Sequence, residues 1–287
     1  MKVLRLAALS SLLVGALFAD SKLIKGFQSP ESVYASKDFI FVSNIGKDPE
    51  VLAKDNDGFI SKLNTKGNFV QKHFATNLNA PKGMIELNGL LYVLDIDRVV
   101  GFRLENGQKA FELEIKGSAF LNDVVALDKQ NLLLSDTGTG NIYKLDTKNK
   151  SVELFTSLDL ARFGGGNGLL LSKDKQKLII ACYHPDGKSG GVVLELDLKS
   201  KNLRVLDKSK NANDGLAYAK NGDLLLSDWG ANLDGKIYRL DTKGNKTALK
   251  LPLMRGVADT SSARLEGKDR LLIPKMLENE LLIIDLP

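Results

Sequence analysis

The stretch from Asn213 to Gly230, N-D-G-L-A-Y-A-K-N-G-D-L-L-L-S-D-W-G, decides the fold. A polar pair opens an apolar run, a Lys-Asn-Gly-Asp turn follows, and a second apolar run ends at Ser227-Asp228. Asn-Gly between two apolar runs is a strong hairpin signal, because both residues tolerate the backbone angles a tight turn needs. The scheme recurs at Pro30 to Asn44, Pro81 to Asp95, Leu121 to Asp136 and Asn167 to Cys182, with a looser copy from Asp259 to Lys275. Aligning the copies puts Glu31, Lys82, Asn122, Asn167, Asp214 and Asp259 in one phase. Their spacing of about 45 residues is that of a four-stranded propeller blade. The copies predict an all-β chain, a six-bladed β-propeller of four-stranded blades.

Third strands share a local form, I-S-K-L-N, I-Y-K-L-D, V-L-E-L-D and I-Y-R-L-D, whose alternation predicts one buried face. The last copy supplies only three strands, Ser261 to Leu265, Arg270 to Lys275 and Glu280 to Leu286. An unassigned apolar stretch, Leu23 to Phe27, precedes the first copy. Pairing it with the last blade closes the ring and removes an exposed edge. Two insertions interrupt the pattern, Gly46 to Asp57 and His184 to Gly191. The first contains Asp55-Asn56-Asp57-Gly58, but the remainder of a calcium loop is missing, and it reads as a solvated loop.

The chain has 287 residues, 43% hydrophobic and 26% charged, an ordinary composition for a folded domain. One repeat throughout argues for a single domain over 20–287. The formal charge is +5, and the lysines are scattered through turns rather than gathered on an aromatic face, which argues against nucleic acid. Residues 1–19 read as a cleaved secretory leader, with Lys2 and Arg5 before an uncharged run from Leu6 to Phe18. That run is short for a membrane span, so a periplasmic or secreted protein without a stable membrane anchor is expected. The single cysteine, Cys182, rules out an intrachain disulfide.

Inner strands of a propeller surround its axis, so the opening residues of the copies should meet there. Carboxylates at Glu31, Asp214 and Asp259 with amides at Asn122 and Asn167 make an oxygen-rich set suited to a hard divalent cation. Lys82 either pairs with these carboxylates or meets an anionic substrate. Asp95, Asp136, Cys182, Asp228 and Lys275 end the second strands and either line the same mouth or cap turns. Trp229 is read as a binding platform or a packed blade edge, and His73 and His184 as surface residues.

At these positions the chain resembles the senescence marker protein, gluconolactonase and luciferin-regenerating enzyme family. The resemblance lies in P-E-S-V (Pro30 to Val33), L-N-D-V (Leu121 to Val124), G-G-N-G-L (Gly165 to Leu169) and N-D-G-L (Asn213 to Leu216). It implies a metal site of Glu31, Asn167 and Asp214, with Asp214 also the general base. It implies substrate contacts from Asn122 and Asp123, to which Lys82 and Asp259 are added as neighbours on the axis. Gly166 stands where the family has proline, and Lys82 has no matched counterpart. The expectation is an exported metal-dependent hydrolase of a small lactone or related ester. Calcium is the first choice of cofactor, with magnesium, manganese or zinc as alternatives. The rival is a non-catalytic propeller binding a ligand or protein around a structural ion.

Overall fold

The computed structural model describes residues 20–187 and 190–287, and the leader assigned to 1–19 lies outside the described residues. Six small antiparallel sheets form the blades of a propeller. Blade one comprises β2 (Pro30–Ala35), β3 (Phe39–Asn44), β4 (Gly58–Asn64) and β5 (Phe69–Leu78). Blade two comprises β6 (Pro81–Leu87), β7 (Leu90–Asp95), β8 (Arg98–Arg103) and β9 (Lys109–Glu114). Blade three has β10 (Leu121–Ala126), β11 (Asn131–Asp136), β12 (Asn141–Asp146) and β13 (Ser151–Ser157). Blade four has β14 (Gly165–Leu171), β15 (Lys177–Tyr183), β16 (Gly190–Asp197) and β17 (Leu203–Asn211). Blade five has β18 (Asn213–Tyr218), β19 (Leu224–Asp228), β20 (Asp234–Leu240) and β21 (Lys246–Ala248), and β22 (Met254–Arg255) pairs with the start of β20.

Blade six takes β23 (Ser261–Leu265), β24 (Lys268–Lys275) and β25 (Glu280–Asp285) from the C-terminus and β1 (Lys22–Lys25) from the other end of the described chain. The expected closure therefore forms, antiparallel, with Lys22 opposite Ile283 and Lys25 opposite Glu280. Ile24 and Phe27 are buried with Leu272 and Leu281 of blade six and Val42 of blade one. At the inner edge of the same junction Asp259 N–H donates to Glu31 O at 2.9 Å.

Each interface between adjacent blades has its own apolar cluster. The second strands are apolar without alternation, as in Leu132-Leu133-Leu134, because a blade is covered on both faces by its neighbours. The same cause corrects the one-face expectation for β4, which is buried on both faces through Leu63. Its Lys62 reaches across the blade edge, with Nζ donating to Leu104 O at 2.9 Å and lying 3.9 Å from the Phe39 ring centre. Asn88 and Gly89 both take left-handed angles, which makes the two-residue turn between Leu87 and Leu90 the expected tight hairpin. A short helix not anticipated from the repeat, α1 (Leu160–Phe163), is capped by Asp159 and leads into blade four.

The feature that builds the site is a register break near the start of the inner strands. Pairing passes from Pro30↔Asn44 to Val33↔Val42, from Pro81↔Asp95 to Met84↔Val93, and from Leu121↔Asp136 to Val124↔Leu134. Blades four and five repeat it between Gly166 and Leu169 and between Asn213 and Leu216. In each, two residues oppose one, a β-bulge that re-aims a side chain. The first bulged residue is Glu31, Lys82, Asn122, Asn167 or Asp214. The second is glycine in blades two, four and five, where the next blade presses close. A Cβ on Gly168 would lie 2.1 Å from Asp214 O, and one on Gly215 2.0 Å from Thr260 N.

Candidate metal and substrate site

The bulged side chains Glu31, Lys82, Asn122, Asn167 and Asp214 line one cavity of about 270 Å³. All five are buried, with Lys82 at 0% and Glu31 at 4% exposure. Buried side-chain oxygens in folded proteins almost always have a hydrogen-bond partner. Here Glu31 Oε2, Asn122 Oδ1, Asn167 Oδ1 and Asp214 Oδ1 have none. The remaining buried orphans among the described residues, Asn213 Oδ1 and Arg239 Nε, lie outside this cavity.

Two of the free oxygens, on Asn167 and Asp214, belong to groups held by a bond at their other polar atom. Asn167 Nδ2 donates to Asn213 O at 3.3 Å, leaving Oδ1 as the unengaged end of the amide. Trp229 Nε1 donates to Asp214 Oδ2 at 2.6 Å, leaving Oδ1. Asn167 O is itself held by Ser135 Oγ at 2.6 Å, and Ser135 Oγ also accepts Asp123 N–H at 2.9 Å. Ser43 and Ser227 take the same place in blades one and five, accepting Ser32 N–H and Gly215 N–H. These hydroxyls stitch the bulges, and their signal was the Ser that ends the second apolar run in three copies.

Burial raises the Glu31 carboxyl well above the usual carboxylate range, with further upward pushes from Asp214, Asp259 and Asp123 against a downward pull from Lys82. Burial followed by Asp259 pushes Asp214 up to about 8, opposed by the Trp229 bond and Lys82. Carboxyls so crowded either bind protons or share a cation. Among the described residues no cluster of three His, Cys, Asp or Glu side chains forms a metal-ligating group. The set lining the cavity is instead mixed, two carboxylates and two amides, and oxygen-only donors of this kind fit a hard divalent ion.

Lys82 makes no carboxylate ion pair among the described contacts. Its Nζ donates to Val51 O at 2.7 Å and Ala80 O at 2.9 Å and lies 4.9 Å from the Phe120 ring centre. Burial lowers it to about 8, against the upward pull of Glu31, Asp95 and Asp214. The bond to Val51 corrects the reading of Gly46 to Asp57 as a solvated loop. Its acidic residues are exposed, but half-buried Val51 and the exposed Pro49 form part of the cavity wall.

Asp123 and Asp259 do not line the cavity. Asp123 accepts Val124 N–H at 2.7 Å and, across the blade junction, Leu169 N–H at 2.6 Å. Asp259 Oδ2 accepts the Ser32 hydroxyl across the ring closure. Both occupy the blade-to-blade seam rather than the mouth. Burial raises Asp123 well above its usual range and pushes Asp259 up to about 6.

The second-strand ends are engaged elsewhere. Asp95, Asp136 and Asp228 accept backbone N–H groups, and Lys275 bridges Glu278 and Glu280. Cys182 is fully buried, and burial pushes its thiol up. His73 stacks on Phe59. Residues that the repeat did not reveal complete the wall, namely Tyr183, Leu233, Met276 and Leu277. Leu233, Met276 and Leu277 lie on connections between strands, where the repeat has no phase, and Tyr183 is the last residue of β15. A groove of about 370 Å³ between the outer hairpins of blades four and five is bordered by Glu195 and Arg204, which pair with each other, and it has no orphaned buried atom.

No protein-family model matches the chain, and no curated protein matches it. Solved structures do. A catalytically inactive virginiamycin B lyase variant from Staphylococcus aureus with quinupristin is 14% identical over 93% of this chain and 100% of its own, with a TM-score of 0.59. A chain of a nidogen/laminin complex is 12% identical over 93% of this chain and 90% of its own, with a TM-score of 0.60. A gluconolactonase from Xanthomonas campestris is 14% identical over 96% of this chain and 92% of its own, with a TM-score of 0.66. At such identities the likeness is one of architecture, and this chain shares its six-bladed β-propeller fold with the gluconolactonase and the lyase.

Proposed function

We propose that this chain is an exported metal-dependent hydrolase of a small lactone or related ester. The observation that carries the reading is the convergence of four buried, unpartnered oxygens, from Glu31, Asn122, Asn167 and Asp214, on one cavity. A divalent cation held by Glu31, Asn167 and Asp214, with calcium the first choice, would supply Lewis acidity toward the ester carbonyl and its water nucleophile. Asp214, its Oδ2 held by Trp229, takes up the proton of the attacking water at Oδ1. Asn122 orients the substrate from the wall. Lys82 spends two of its three N–H donors on Val51 O and Ala80 O, leaving the third for negative charge developing on the carbonyl oxygen.

A second reading is a non-catalytic propeller that binds a ligand or protein around a structural ion. The likeness to a nidogen/laminin chain favours it, since propellers serve both roles. Elemental analysis of the purified protein, followed by a lactone panel with and without chelator, separates the two. The hydrolase reading expects bound divalent metal and chelator-sensitive turnover. Loss of thermal stability in chelator with no substrate turned over supports the binder.

A further inference from the structure

We infer that the occupant of the axial cavity is a lactone or ester with a hydrocarbon or aromatic body, not a polyhydroxylated ring. This rests on the hydrolase reading for the reacting group, but it is argued from the apolar lining rather than from the unpartnered oxygens. The polar residues of the cavity lining are Glu31, Lys82, Asn122, Asn167 and Asp214. Val51, Phe120, Trp229, Leu233, Met276 and Leu277, with Pro49 and Tyr183, supply the rest of its lining. The hydrogen-bond donors of Trp229, Asn167 and Lys82 are largely spent, and the four unpartnered oxygens are those given to the cation and to orienting the substrate. Trp229 Nε1 donates to Asp214, Asn167 Nδ2 to Asn213 O, and Lys82 to two backbone carbonyls. A hydroxyl brought against this surface leaves water without a replacement partner, which is why sites lacking such partners reject polar ligands. An alkyl or aryl group loses nothing and gains contact.

Leu233 is the second observation. It stands where the axial cavity meets a neighbouring groove of about 490 Å³ between blades four and five, and the two share Tyr183, Trp229 and Leu233. Its φ is 60°, the left-handed region in which a branched side chain is strained and glycine or asparagine is favoured. It is also 42% exposed. Neither backbone geometry nor core packing asks for leucine here. An apolar flank at the junction of two cavities is what a hydrocarbon chain passing from one to the other requires. The shared lining gives a chain longer than the axial cavity a continuation beside Tyr183.

The test uses two parallel series on the full mature protein. Turnover is measured on an unsubstituted six-membered lactone, on derivatives alkylated beside the ring oxygen from methyl to hexyl, and on a polyhydroxylated lactone of the same ring size. Equilibrium binding of the matching lactams, which are not turned over, is measured by calorimetry with calcium and with chelator. The expected result is a rise of about threefold to fourfold per added methylene until the cavity and groove are filled. The polyhydroxylated members fall about 100-fold below the alkylated ones. Leu233→Asn flattens the rise without lowering the thermal midpoint, because it relieves the backbone while removing the apolar flank.

A flat series, or preference for the polyhydroxylated member, overturns the inference even if hydrolysis is real. A lactam gradient with no lactone turned over leaves the apolar occupant standing and removes the hydrolase reading instead. An unchanged gradient in Leu233→Asn overturns the route through the junction.

Discussion

Two sets of polar side chains sit one residue apart across the same ladder rungs. Pro30, Pro81, Leu121 and Asn213 lie opposite Asn44, Asp95, Asp136 and Asp228. The next residue on each inner strand is Glu31, Lys82, Asn122 or Asp214. The outer set is satisfied by backbone. Asn44 Oδ1 accepts Gln28 N–H at 2.9 Å, and Asp95 Oδ1 accepts Asn79 and Ala80 N–H groups at 3.0 and 2.8 Å. Asp136 accepts Ala119 and Phe120 N–H groups at 3.0 and 2.9 Å as well as Gly138 N–H at 3.0 Å. Three of the four inner residues keep a buried oxygen without a partner, and the fourth, Lys82, gives its bonds to carbonyls. Asn44, Asp95 and Asp136 grip the chain just before the inner strand, fixing where it enters. The bulge then turns the next side chain toward the axis.

Substitution on either side of the rung breaks this comparison in opposite ways, and Asp214 gives the largest effect. Asp214→Ala is expected to lower kcat/KM about 1000-fold or more and to abolish retention of divalent metal. It removes a buried carboxylate that lacks a full set of partners, so melting in chelator should show no loss of stability. Full activity in the variant overturns the catalytic reading, and a large loss of stability would move Asp214 into the outer, structural class.

Removal of 20–28 is the next in size. It strips β1 from β25, exposes the partners of Ile24 and Phe27, and deletes the Asp20 pairs with Lys268 and Arg270. A cost of about 5 kcal/mol or more follows from the buried side chains alone. Because Asp259 bonds Glu31 at the same closure, metal binding should fall with it. Unchanged thermal melting would mean that the ring does not depend on this strand.

Asp136→Ala should cost about 2–4 kcal/mol by leaving several buried N–H groups unpaired. Activity per folded molecule should persist if the comparison is right, and activity lost without any fall in the melting temperature would place Asp136 in the functional set.

The smallest effect sharpens the satisfied class at the rim. Lys246 and Ser209 hold the Asp207 carboxyl below its usual range, although burial pushes it the other way. A depressed carboxyl contributes stability above its unfolded pKa and loses it as pH falls through the folded value. Asp207→Asn should therefore flatten the acid limb of stability below about pH 4 and lower stability slightly at pH 7. An unaltered acid limb would show that the pair is inert.

Much of this was legible because it is periodic. The phase of Glu31, Lys82, Asn122, Asn167 and Asp214 marks the start of an inner strand, and ring closure brings equal phases to one place. Asp123 and Asp259 share the chemistry of the site but do not line its cavity. One step of register, at the second bulged position or before the inner strand β23, turns a side chain into the seam between blades. Asp95, Asp136 and Asp228 were ambiguous for a related reason. An aspartate after an apolar run reads identically whether it faces a ligand or a row of N–H groups.

Repeat length, alternation and turn residues suffice to specify six blades and the strand that closes them, since these depend on contacts within one blade and its neighbour. The choice between a satisfied carboxylate and a free one depends on the bulge, on Trp229 reaching Asp214, and on Val51 folding back to Lys82. Those contacts join residues from different blades and connections, and their distances exist only once the ring has closed.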